Sequence, residues 1–247
     1  MIKDLNIELF LLCFNEQKMI LHTLNYYAQF CSKITIFDND STDKSKELIR
    51  NFDSRIQIKR LDTGGEHRED ILRDTRNTCW KESTADYVIV CDMDEFLYHP
   101  SLVNQLKTAK EKGVAIPVVV GYNMIADSFP EDHSKLITEQ VQVGYKDRRF
   151  DKNIIFDPKQ VKEINFRPGS HLCNPKFHEA PVLDALVEFK LLHYKYLDKE
   201  YLYNRHEMYS QRLSTINKNN KWGAEYLDGK DHINEKYEKI NYLIKVV

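Results

Sequence analysis

Several things are scarce in this chain. No apolar stretch approaches the ~18–20 residues that a membrane span needs. Neither sign of charge dominates: 36 Lys and Arg stand against 38 Asp and Glu, a formal net charge of -2. That balance argues against general nucleic-acid binding, which calls for a basic face. The five cysteines, Cys13, Cys31, Cys79, Cys91 and Cys173, are scattered and include no C-x-x-C pair. That argues against a zinc site or a disulfide framework, and reduced thiols in a cytoplasm are expected. Internal repeats, low-complexity tracts and long linkers are also missing. The N-terminal "MIKDLNIELFLLCFNE" has acids on both sides of its apolar run and no small-residue cleavage site. It is expected to be a first strand and not a signal peptide.

What is present is an alternation. Residues 7–14, 33–37, 55–61, 87–91 and 113–122 read as strands, with helical spacing between them, as at Ile20, Leu24, Tyr27 and Cys31. Ser41 or Thr42 is placed to cap the helix after the second strand, and residues 66–82 are helix-like. Strict alternation predicts an α/β fold with a parallel sheet and helices on both faces. From 123 onward the order loosens, with Pro130, Pro158, Pro168, Pro175 and Pro181. A strand over 187–194 and helices over about 199–216 and 234–245 are expected there. The 247 residues suffice for one domain, divided as 1–122 and an irregular half, 123–247.

Polar clusters end three of the expected strands: "NE" at 15–16, "DNDSTD" at 38–43 and "DMDE" at 92–95. Ligands of open α/β sheets bind beyond the carboxyl ends of the strands, where these clusters would meet. Folding alone does not call for three carboxylates at the end of a buried strand, since like charges repel and burial is costly. Asp92 and Asp94 are two positions apart, roughly 6.6–6.8 Å in extended chain, with side chains on one face. Such a pair can meet one oxygen-loving divalent cation, Mn²⁺ or Mg²⁺. The plain alternatives are a solvated acidic loop at 92–95 and a turn with a helix cap at 38–43.

"FNE", "FDNDSTDKS", "RDTRN" (73–77) and "DMDEF", in that order over about the first 125 residues, resemble a glycosyltransferase of the GT-A fold, close to family 2. "FDKNIIFDP" (150–158), "RPGSHLCNP" (167–175) and "LLHYKY" (191–196) resemble a bacterial branch associated with surface polysaccharide assembly. The resemblance implies a GT-A nucleotide-sugar-binding half over 1–122 and an acceptor half over 123–247. It implies donor contacts from Phe14, Asn15, Glu16, Asp38, Arg76, Asp92 and Met93, and a metal held by Asp92, Asp94 and a late histidine, His193. It further implies a nucleotide-sugar donor, a uridine diphosphate sugar by family habit, and a saccharide or lipid-linked saccharide acceptor. The location implied is cytoplasmic, with peripheral contact at the inner face of the membrane left open. Two departures stand out: Asn39-Asp40 replaces the usual Asp-Gly, and no Glu-Asp pair marks the base.

Sugar transfer needs a cation and an arginine against the departing diphosphate, and a base at the acceptor hydroxyl. His171 and Glu179 are the candidate bases, and inversion is the expected outcome. A loop imidazole bonded to backbone is the other reading of His171, and a core imidazole between Leu192 and Tyr194 that of His193. Arg205 and Arg212 share a helix face, expected to be solvated. A haloacid-dehalogenase-type phosphohydrolase would carry Asp-x-Asp after its first strand, and a nucleotidyltransferase would carry a Gly-rich loop there. This chain has neither. A non-catalytic nucleotide-sugar or glycan-binding module remains the alternative from another class.

Overall fold

The computed structural model describes residues 5–182, 187–238, 240 and 242–247. The first half alternates as β1 (Ile7–Cys13), α1 (Ile20–Tyr27), β2 (Lys33–Asp38), α2 (Ser45–Arg50), β3 (Ile56–Arg60), α3 (Glu69–Thr78), β4 (Tyr87–Asp92), β5 (Glu95–Tyr98) and α4 (Leu102–Glu111). The chain continues through β6 (Val118–Ile125), α5 (Ile137–Gln140), β7 (Val143–Lys146), β8 (Ile155–Phe156), β9 (Val161–Glu163), β10 (Lys176–Phe177) and β11 (Glu188–Tyr196). It closes with α6 (Lys199–Ser210), α7 (Thr215–Asn220), α8 (Lys230–Glu238) and β12 (Ile244–Lys245).

One sheet has the order β3-β2-β1-β4-β8, parallel through β4, with β8 antiparallel at the edge. The continuous apolar run of β4 follows from its burial on both faces. Tyr87, Ile89 and Cys91 enter the core that also holds Ile20, Leu24 and Tyr27 of α1. Val88 and Val90 enter a second core with Trp80 and Phe156. Register sets Cys13 beside Asp38 and Leu12 beside Asp92, so the polar ends of β1, β2 and β4 share one edge.

A second sheet, β12-β7-β6-β11-β5, departs from the expected single parallel sheet. The apolar run 113–122 was expected as a fifth strand of the first sheet. Its start instead packs in the second core through Ala115 and Ile116, and β6 begins after Pro117. β6 pairs with β11 in parallel, and β5 pairs with β11 antiparallel, Glu95 opposite His193. The acid motif is thus the turn between β4 and β5. β5 is too short to stand out in the sequence, and its partner lies far along the chain. The helix expected over 199–216 breaks after Ser210, and Ser214 caps α7 by accepting from Asn217 N at 3.1 Å. The last helix starts earlier than expected, at Lys230. Of the expected range, residues 239 and 241 lie outside the described residues.

Candidate active site

The strand ends are stitched together by short polar side chains. Asn15 takes a left-handed conformation (φ 53°), and its Oδ1 accepts from Thr42 N at 2.7 Å. Ser41 Oγ accepts from Asn15 N at 2.9 Å, and Ser45 Oγ from Glu16 N at 2.8 Å. Ser41 and Thr42 therefore serve this junction and not the cap of α2, whose first residue donates to Asp43 Oδ1 at 2.9 Å. Asp38 is buried, and its Oδ2 accepts from Ser41 N at 3.1 Å. Its Oδ1 is buried and has no hydrogen-bond partner among the described residues.

Beyond these ends lies a cleft of about 260 Å³. Phe14, Glu16, Arg76, Asp92, Met93, Asp94, His171 and His193, all named from the sequence, line it. Asp38 lies on another surface depression, beside Asp40. Neither Asn15 nor Glu179 lines the cleft, and Glu179 is exposed.

The buried and half-buried carboxylates between the strand ends are compensated one by one. Arg76 donates to Asp92 Oδ1 at 2.8 Å and to Glu69 Oε1 at 2.9 Å. Burial alone would raise the Asp92 pKa, but Arg76 and then Lys152 outweigh it and hold the carboxyl well below its ordinary value. Lys152 Nζ meets Glu95 Oε1 at 2.5 Å, with the two side chains 2% and 1% exposed. Arg205 grips both oxygens of Glu16, at 2.7 and 2.6 Å, and reaches Asp94 Oδ2 at 3.4 Å. Burial still pushes Glu16 up to about 7, against the pull of Arg205.

His193 differs from the rest. Asn123 donates through Nδ2 to Asp147 Oδ2 at 2.8 Å and to Tyr145 OH at 3.1 Å, leaving Oδ1 as an acceptor. His193 Nδ1 therefore donates to that oxygen at 2.8 Å. Burial, then the Lys195 and Lys152 charges, hold the imidazole far below its ordinary pKa, so it is neutral. With Nδ1 donating to Asn123, Nε2 is left as an acceptor 3.7 Å from Asp94 Oδ2, which Arg205 also reaches at 3.4 Å. Two acceptors turned toward one another fit a cation. Among the described residues, no three His, Cys, Asp or Glu side chains converge closely enough to hold an ion by themselves. The donor set of Asp94, His193 and the nearby Asp92 thus suits an ion that brings ligands with it, as Mg²⁺ and Mn²⁺ do with phosphates.

The second half reaches the cleft through a close crossing. Gly121 N donates to Asp151 Oδ1 at 2.8 Å, and Asp147 N donates to Gly121 O at 2.9 Å. A Cβ at Gly121 would meet the Phe150 backbone at 2.4 Å, so no larger residue admits this crossing. It places Lys152 in the cleft and stacks Phe150 on His193 with ring centroids 4.1 Å apart. His171 sits at the cleft's rim, and its Nδ1 donates to Arg149 O at 2.7 Å. Burial and Lys152 lower its pKa, so Nε2 is free to accept a proton.

Spacing alone did not single out Glu69, Asn123, Lys152 or Lys195. Arg205 and Arg212 are not on a solvated face. Arg212 lies 3.4 Å over the Phe14 ring and donates to Asn39 Oδ1 at 2.9 Å and Gly65 O at 2.9 Å. Their spacing on one helix face was the available signal. Arg205 on α6 and Arg212, two residues beyond its end, pack on the strand ends instead of facing water.

The sequence model of the family described as "Glycosyl transferase family 2" matches residues 9–164. The chain belongs to that family. Solved structures of similar fold include S. aureus TarS 1–349 in complex with UDP, at 14% identity and TM-score 0.50, covering 90% of this chain and 71% of that one. S. aureus TarS 1–349 in complex with UDP-GlcNAc gives 14% identity and TM-score 0.49, with 96% and 76% covered. Glucosyl-3-phosphoglycerate synthase from Mycobacterium tuberculosis, in complex with Mn²⁺, UDP and glucosyl-3-phosphoglycerate, gives 17% identity and TM-score 0.34. That match covers 48% of this chain and spans 44% of the mycobacterial one. No curated protein matches the chain. The described residues include no helix long and apolar enough to cross a membrane.

Proposed function

We propose that this family 2 domain transfers a sugar, with inversion, from a uridine diphosphate sugar to a hydroxyl of a saccharide or lipid-linked saccharide, using Mn²⁺ or Mg²⁺. The observation that carries the reading is the pair of acceptors facing one another, His193 Nε2 and Asp94 Oδ2, beside the Arg76-bound Asp92. Asp92, Asp94 and His193 would hold the ion, which offsets the charge of the departing diphosphate. An imidazole in the set favours manganese. Arg76 and Lys152 fix the acids in place and add positive charge to the same region. Asp38 takes the nucleoside through its unpartnered Oδ1. Phe14 and Met93 line the donor's path, Glu16 positions Arg205, and Asn15 holds the junction on which these side chains depend.

His171 is the base in this reading. Its Nε2 takes the hydroxyl proton as the acceptor oxygen bonds to the anomeric carbon and the bond from that carbon to the diphosphate oxygen breaks. Glu179 has no part, being exposed and away from the cleft. Work on a bacterial surface polysaccharide, at the cytoplasmic side of a membrane, is the setting supported by segments 150–158, 167–175 and 191–196.

Calorimetry with UDP and Mn²⁺, followed by turnover of a panel of UDP-sugars, tests the proposal. UDP is expected to bind only with the metal, and one UDP-sugar is expected to release UDP. Equal binding of UDP in EDTA would overturn the metal assignment. Tight metal-dependent binding without turnover against any acceptor would identify a binding module.

A further inference from the structure

A second, wider groove of about 1190 Å³ runs beside the cleft. Phe150, His171, Lys195 and Glu225 line both, so the two share a wall there. The groove carries Lys146, Arg148, Arg149, Lys195 and Lys236 against one lining carboxylate, Glu225. Asp147 balances Arg149 at 2.6 Å, and Asp228 balances Lys236. Lys146, Arg148 and Lys195 have no ion pair among the described residues. This is a local excess of positive charge in a chain of formal net charge -2. Around it stand large apolar side chains that water does not favour. Leu172 is 70% exposed, Tyr242 84% and Ile244 49%. Cations beside exposed apolar side chains suit a ligand with an anionic head and an apolar tail.

We infer that this groove seats the acceptor, and that the acceptor is an amphiphile with a phosphate-type head: Lys146, Arg148 and Lys195 take the anion, and Leu172, Tyr242 and Ile244 take the apolar chain. The inference rests on the proposed transfer reaction, because the shared wall at His171 is where an acceptor hydroxyl would meet the donor. A simple saccharide would use neither the unpaired cations nor the apolar rim.

The test uses the whole chain saturated with UDP and Mn²⁺, and three probes below any micelle-forming concentration. Decyl phosphate is expected to bind at least tenfold more tightly than decyl glucoside, which lacks the charge, and than inorganic phosphate, which lacks the chain. The double variant Lys146→Glu and Arg148→Glu should lose at least tenfold for decyl phosphate, with UDP binding unchanged. Leu172→Asn, which removes apolar surface without adding charge, should weaken decyl phosphate severalfold and leave inorganic phosphate as it was. Equal binding of decyl glucoside, equal binding of inorganic phosphate, or indifference to the charge reversal would each overturn the inference. If UDP itself fails to bind the native chain, the transfer reading fails. The probe ranking, measured without UDP, then reports on the groove alone.

Discussion

The cleft draws most of its acids from one region of the chain and most of its cations and imidazoles from another. Glu16, Glu69, Asp92, Asp94 and Glu95 come from the segment after β1, from α3 and from the turn that joins β4 to β5. Lys152, His171, His193, Lys195, Arg205 and His206 come from the second half, while Arg76 and His67 from the first half and Glu225 from the second cross the division. The first region pairs β1, β2, β3 and β4 with near neighbours in parallel. The second is tied to it by β11, which lies between β5 and β6. Neither region is electrostatically complete, since buried carboxylates without counter-charges are costly. Assembly of the site and docking of the two regions are therefore one event.

The sharpest way to break this division is at Asp94, where both regions meet. Asp94→Asn is expected to fold, keep a thermal midpoint within a few degrees, and lose about 10³-fold or more in transfer, together with metal-dependent UDP binding. Near-native turnover would remove the metal from the reaction.

Next comes the counter-charge itself. Lys152→Met strips the partner from Glu95, which is 1% exposed, and should destabilise the fold by about 3 kcal/mol or more in urea unfolding. Adding Glu95→Gln should restore most of that loss. Without such recovery, the pair is not what joins the regions.

His171→Ala should lower kcat by about 10²-fold while UDP affinity is unchanged. In the native protein the acid limb of kcat should lie below pH 6.5, because burial and Lys152 depress the imidazole's pKa. An unchanged kcat, or a limb above 6.5, would move the base elsewhere.

His206 sharpens the comparison from the side of stability. It is 2% exposed, both ring nitrogens lack partners among the described residues, and burial, then Lys195, lower its pKa from 6.5 to about 3. The unfolded chain takes the proton more readily, so this contribution is fully present above pH 6.5 and is lost as pH falls toward 3. Between pH 7 and pH 5 it should amount to a loss of ~2 kcal/mol. His206→Phe should flatten that part of the profile in melts at both pH values. Parallel profiles for variant and native chain would show that His206 titrates normally.

The smallest expected effect is at the seam. Asn217 Oδ1 accepts from Glu69 N at 3.0 Å, tying α7 to the start of α3. Asn217→Ala should cost about 1 kcal/mol of stability. No measurable change would mean that this bond does not hold α7 in place.

The alternation of β1 to β4 with its helices was legible because each element carries its own pattern. Apolar runs mark strands buried on both faces, and the polar clusters at 15–16, 38–43 and 92–95 mark their ends. That Asp92 and Asp94 stand at the end of β4 could be read from the sequence, but the turn that carries Asp94 into β5 could not. Nor could β5 itself, having four residues and a partner in β11. The switch of β6 into the second sheet was equally hidden, since an apolar strand reads the same in either sheet. The partners of the acids were no more visible. Nothing in "FDKNIIF" says that Lys152 will meet Glu95, or in "LLHYKY" that Asn123 will set the tautomer of His193. Short-range patterning determined the strands, the helices and the carboxylates. Long-range pairing decided which charges those carboxylates meet, because the stability of a buried charge depends on groups brought beside it by folding and not on its neighbours along the chain.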